Sequence, residues 1–158
     1  MGIEKTNVMR ILDQKGVKYT PFCYVESQAV NGVEVAEFLG VPKNQTFKTL
    51  VTVGKSGRYY VFDIPVDKEL DLRKAAEAVN EKNVAMIKSK ELLPLTGYIH
   101  GGCSPVGMKK YFTTTFDITA EDFLEVYFSA GKIGYFVKVD FTAFRKCFPV
   151  SFYDLTVE

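Results

Sequence analysis

Residues 47–53 (FKTLVTV) and 58–64 (RYYVFDI) are both rich in β-branched and aromatic side chains, and only Gly54-Lys55-Ser56-Gly57 separates them. Two such runs across a glycine-bounded tip close as a β-hairpin, so an antiparallel ladder is built into this chain whatever else it forms. Elsewhere the period changes. Val8, Ile11 and Leu12 share a helical face over 4–15, with Gly16 placed to stop it. A short helix is expected over 33–39, closed by Gly40 and followed by Pro42. Asp71 can cap another, with Leu72, Ala75, Ala76 and Val79 inward, and Ser89 can open a further turn that ends at Pro94. Strands are expected at 125–129 and 135–139 around a Gly131/Gly134 turn, then a helix after Asp140 that buries Phe141, Phe144 and Phe148. No linker or internal repeat interrupts the 158 residues, a length that suits one domain, 1–158. The fold class expected is mixed α/β (α+β), with a largely antiparallel sheet and surrounding helices.

With 47% hydrophobic and 25% charged residues the chain is neither disordered nor of low complexity. A formal net charge of +1 excludes a protein that coats polyanions through bulk charge. No stretch approaches the roughly 20 apolar residues of a membrane span, and the first residues lack the apolar core of a secretory signal. Three cysteines (Cys23, Cys103, Cys147), an odd number without a C-x-x-C pair, fit a reduced, cytoplasmic protein. Gly2 and Thr6 meet a myristoylation pattern too short to carry an anchor by itself. Charge is nonetheless uneven: residues 38–62, 92–116 and 126–139 contain no acid. If these segments met in space they would form a positive pocket suited to a phosphate-bearing ligand.

Familiar hydrolytic machinery is nearly absent. His100 is the single histidine, and the cysteines offer no metal-ligand spacing, so neither a metal nor a cofactor is expected. Cys103, three residues from His100, could be read as a nucleophile or as a small buried thiol; neighbours in a glycine-rich loop rarely face one reacting atom. The loop His100-Gly101-Gly102-Cys103-Ser104-Pro105 can instead bring bare backbone N–H groups to a ligand, or be an ordinary turn. Lys48 shares a strand face with Leu50 and Thr52; it is either inward and in need of an anion or at the surface on a long stem.

Four blocks taken together, FKTLV (47–51), PVDKELDLRKAA (65–76), TGYIHGGCSPVGMKK (96–110) and SAGKIG (129–134), resemble the YbaK/EbsC family of aminoacyl-tRNA deacylases. These are free-standing relatives of the editing domain of prolyl-tRNA synthetases. The resemblance covers the chain in order. It implies the editing-domain fold and hydrolysis of the ester that links a wrong amino acid to tRNA. Lys48 falls at the family's functional lysine, expected to meet the terminal phosphate or the ester. Gly101 and Pro105 end its G-x-x-x-P loop, expected with Gly102 to contact the aminoacyl group through the backbone. Tyr24 and Thr49 fall at pocket positions, and Ser129 opens the S-A-G-K block. Asn31 stands where an aromatic residue is usual in the cysteine-preferring deacylase, Ile133 replaces an arginine, and Phe136 replaces an acid. These departures bear on pocket polarity and substrate choice, and Asn31 and Phe136 are counted with the pocket. Lys109, Lys110 and Lys132, from the acid-free segments, are the candidates for the tRNA backbone.

The function implied is trans-editing of mischarged tRNA, Cys-tRNA(Pro) first, with Ala-tRNA(Pro) as the alternative substrate. A binding module that has lost turnover and a hydrolase acting through Cys103 are the competing readings. The partners expected are mischarged tRNA, tRNA(Pro) foremost, with prolyl-tRNA synthetase a further candidate; DNA and membranes are not expected.

Overall fold

In the computed structural model, which describes residues 3–158, side-chain caps set the helix starts. Thr6 accepts the Met9 N–H and opens α1 (Asn7–Lys15), which Gly16 ends in the left-handed region. Gly2 of the myristoylation pattern lies outside the described residues; Thr6 is engaged as this cap. Asn31 opens α2 (Gly32–Leu39), Asp71 opens α3 (Leu72–Ala78) and Asp140 opens α5 (Phe141–Cys147). Two details differ from expectation. Leu72 is exposed, because α3 engages its neighbours from Ala75 and Ala76 onward. Pro94 lies within α4 (Ser89–Thr96) rather than at its end. It removes one helical bond, to the carbonyl of the exposed Lys90, while Gly97 N–H still donates to Leu93 O at 2.8 Å.

The strands form two sheets. In the smaller, β1 (Tyr19–Cys23), β7 (Tyr135–Asp140) and β6 (Glu125–Ser129) lie in the order β1-β7-β6, all antiparallel. The larger has the order β4-β2-β3-β5-β8, from β2 (Phe47–Gly54), β3 (Tyr59–Pro65), β4 (Val84–Met86), β5 (Thr113–Asp117) and β8 (Ser151–Tyr153). The expected hairpin is β2–β3, with Thr49 opposite Asp63. Antiparallel pairing dominates, but β3–β5 and β5–β8 are parallel. Four strands were not anticipated: β1, β4, β5 and β8. A single parallel bridge, Thr46 to Tyr127, joins the sheets where β2 begins beside β6.

The main core fills the space between the sheets, with Phe116 at its centre. Its ring meets Phe47, Phe141, Phe144 and Phe152 at centroid distances of 5.7, 5.2, 6.2 and 6.4 Å, tilted or edge-on as ring quadrupoles favour. On the other face of the larger sheet, Tyr60, Phe62 and Ile64 pack on Ala75 and Ala76 of α3. A third cluster, Tyr24, Val35 and Phe136, sits where α2 covers the smaller sheet. Among the described residues no helix is long and apolar enough to cross a membrane.

Candidate active site

Past the Thr46–Tyr127 bridge β2 and β6 separate, and the next partner on that edge of β2 is β4, whose pairing begins at Thr52. Among the described residues the edge from Phe47 to Leu50 therefore has no strand hydrogen-bonded to it, although β6 passes close by. Alternation along β2 directs Lys48 and Thr49 to opposite faces. Two residues beyond a parallel bridge, Lys48 points to the same side as Ser129 of β6, and Ser129 lies opposite Phe136 in the β6–β7 ladder. That side carries Tyr24, whose ring meets Phe136 edge-on at 5.6 Å and whose N–H donates to Gly134 O at 2.7 Å. Lys48, Ser129, Phe136 and Tyr24 thus belong to one side of the opening.

Lys48 is half-buried, and no ion-pair partner within 4.0 Å is found for it among the described residues. Burial pushes its ammonium below the ordinary value, partly offset by Glu69 and Asp67 from the turn after β3. A stretch without acids along the chain is therefore not a region without acids in space: the turn returns two carboxylates toward Lys48. An anion held there must compete with them.

The opposite face of β2 holds a second polar group. Thr49 Oγ1 donates to Asp63 Oδ1 at 2.5 Å, and Asp63 is 0% exposed, with no hydrogen-bond partner for Oδ2 among the described residues. Burial pushes the Asp63 carboxyl up to about 8, opposed by the Thr49 hydrogen bond. Cys103 packs between the main core and the Val51–Val61–Leu92 cluster on this same side. Burial, with the Asp63 charge adding to it, pushes its thiol up to about 12, so it is protonated at neutral pH and a poor nucleophile. Asp63 was not singled out from the sequence. Its only signal there is a lone acid inside an otherwise apolar strand, RYYVFDI.

The glycine loop lies beside the β6–β7 turn. Gly101 holds φ +89°, open to glycine and strained for other residues. A Cβ on Gly102 would stand 3.3 Å from Ile133 N, so its bare backbone lets the loop lie against the β6–β7 turn. Ser104 is fully buried, its Oγ accepting the Val106 N–H at 3.3 Å, and Tyr98 donates its hydroxyl hydrogen to Val106 O. Pro105 is half-buried. These contacts anchor the loop's second half and leave Gly101 exposed at its tip.

The remaining candidates lie further out. Asn31 is exposed, and its Oδ1 accepts the Glu34 N–H at 3.0 Å, so its side chain serves α2 as a cap. Ser129 Oγ accepts the Gly131 N–H at 3.1 Å and shapes the turn. Lys109 and Lys110 are exposed beside the loop, Lys109 within 3.4 Å of Pro94 O. Lys132 pairs with Glu4 at 2.6 Å, an exposed contact of little strength. Among the described residues no three His, Cys, Asp or Glu come together as a metal would require.

Residues 26–147 match the aminoacyl-tRNA editing domain family. The chain belongs to that family. As an editing domain it is 45% identical, over 132 residues, to a protein of Enterococcus faecalis with the provisional name Cys-tRNA(Pro)/Cys-tRNA(Cys) deacylase EbsC, covering 83% of this chain and 80% of that one. It is 36% identical over 76 residues to a proline–tRNA ligase of Fervidobacterium nodosum, a match spanning 48% of this editing domain and 13% of the ligase. Its fold is that of a solved structure provisionally described as a trans-editing enzyme for prolyl-tRNA synthetase, with TM-score 0.81 at 24% identity over 96% of this chain and 95% of that one. A second structure, of the protein APE2540, gives TM-score 0.85 at 22% identity over 98% and 100% of the two chains.

Proposed function

We propose that this editing domain, acting as one unit over 1–158, hydrolyses the ester of mischarged tRNA in trans, with Cys-tRNA(Pro) its foremost substrate. The likeness to EbsC over most of both chains carries this reading. The chemistry of the site supports it. An aminoacyl ester is already activated and needs less help than an amide, and a cysteinyl ester brings its own nucleophile. Its thiol sulfur bonds to the carbonyl carbon, the bond to the ribose oxygen breaks, and the thiol proton ends on the released hydroxyl, leaving a thiolactone. The protein then orients the substrate and stabilises charge, from Lys48 and from the backbone N–H of exposed Gly101; the Gly102 N–H, expected to join it, is already committed to Ile99 O at 3.0 Å. An alanyl ester would need a positioned water or the ribose hydroxyl instead. Exposed Lys109 and Lys110 suit the tRNA backbone, and Lys132 can join them by leaving its weak pair with Glu4.

Exposed Ile133 and buried Phe136 favour one second reading, a tRNA-binding module with weak turnover, since apolar groups stand where the family carries charge. Single-turnover loss of ester from Cys-tRNA(Pro), Ala-tRNA(Pro) and correctly charged Pro-tRNA(Pro) tests both. Selective loss from Cys-tRNA(Pro) is expected; tight binding without turnover would establish the module instead. In the same assay Cys103→Ser should keep most of the activity, because no thiolate is used. A drop of several orders of magnitude in a folded variant would restore Cys103 as nucleophile.

A further inference from the structure

Asp63 is a fully buried carboxyl with one oxygen hydrogen-bonded to Thr49 and the other without a hydrogen-bond partner among the described residues. Such a group is costly to leave unsatisfied, and a valine in its place would pack with Val61 and Phe116 on the same face at no such cost. Its surroundings indicate what the unpaired oxygen awaits. Thr49 lies on the stretch of β2 whose outer edge has no hydrogen-bonded partner strand among the described residues, and Cys103 stands in the middle of the Gly101–Pro105 loop. The carboxyl is thus enclosed between the two segments that flank the opening, and on the opposite side of β2 from Lys48. A ligand crossing this edge with its ester on the Lys48 side would direct its far end toward Asp63.

We propose that Asp63, oriented by Thr49, is the specificity-determining end of the aminoacyl subsite and pairs with a small hydrogen-bonding side chain, a thiol or hydroxyl, in preference to a methyl group. A thiol or hydroxyl both donates and accepts, so on binding it satisfies Oδ2 whichever protonation state the carboxyl holds, and a thiol leaves that contact when it turns to the ester carbonyl. A methyl does neither and leaves the buried oxygen unpaired. Discrimination on this basis is strong because the wrong ligand fails to relieve a buried polar group. The inference rests on the deacylase reading above.

The test compares kcat/KM for Cys-, Ser- and Ala-tRNA(Pro) in the wild type, Asp63→Asn and Asp63→Val, with circular dichroism confirming the fold. Asp63→Val should lower the Cys:Ala and Ser:Ala ratios by about tenfold or more. Asp63→Asn, which keeps the shape and one hydrogen-bonding group, should retain most of both preferences. A purely structural Asp63 would scale all three substrates together, and unchanged ratios in folded Asp63→Val would overturn the inference while leaving deacylation standing. If Asp63→Val fails to fold, unchanged ratios in a Thr49→Val variant overturn it equally, since Thr49 orients the carboxyl. A wild type that releases no amino acid from any of the three would overturn both readings.

Discussion

At Lys48 opposing influences meet. Burial disfavours its charge, while Asp67 and Glu69 support it from a distance without forming a contact. An ammonium in that position gains more from an arriving anion, or from the oxyanion of a tetrahedral intermediate, than a fully hydrated lysine would. Lys48→Ala should fold normally and lose roughly 30- to 1000-fold in single-turnover deacylation of its best substrate, the range of a charge-assisted contact in a partly dry site. Lys48→Arg should also be impaired, since a planar fork does not replace a compact charge. Deacylation by Lys48→Ala within threefold of wild type would move the active site elsewhere. The lysine was legible in its strand and its block, FKTLV. The acids beside it were not, because they return through a turn that linear spacing does not encode.

Among the elements, α2 shows how one residue can carry a local duty at a position assigned to the pocket. Asn31 closes the helix's first turn, and Glu34 reaches back to the Val30 N–H at 2.9 Å, the reciprocal pattern of a capping box shifted by one residue. Removing the cap in Asn31→Ala should cost about 1 kcal/mol in urea unfolding and change deacylation less than Lys48→Ala does. A loss of activity with unchanged stability would return Asn31 to the pocket. The α2, α3 and α5 helices were readable because caps, stops and periodicity are local. Strands β1, β4, β5 and β8 were not. Pro21 interrupts β1, which tolerates it at a sheet edge, and β5 reads Thr-Thr-Thr-Phe-Asp, a polar run whose burial follows only from parallel neighbours far away in sequence.

For the molecule as a whole, Asp63 couples stability to pH. Its carboxyl is raised from 3.8 to about 8 on folding, so between those values the native state holds a proton that the unfolded chain has released. The contribution is complete below the unfolded value and is lost as pH rises toward 8. Unfolding free energy of the wild type should therefore decline across this window relative to Asp63→Asn, by up to about 1.4 kcal/mol per pH unit for one proton. Denaturant titrations at several pH values would reveal it; parallel curves for the two proteins would mean that Asp63 is ionised in the native state.

The parallel pairing of β3 with β5 has one more consequence. Two parallel neighbours require a crossover, and here that crossover, from Val66 to Phe112, contains α3, β4, α4 and the glycine loop. The wall of the proposed site is therefore an insert between two strands whose registry it does not set, whereas Lys48, Thr49 and Asp63 belong to the ladder itself. Exposed positions of the crossover can change without moving the ladder, while its buried Ala75, Ala76, Val84 and Leu92 stay tied to the core, and any shift of the floor would slip the hairpin. The crossover can re-shape the walls, while the proposed Lys48 and Asp63 ends of the subsite are inherited together with the sheet.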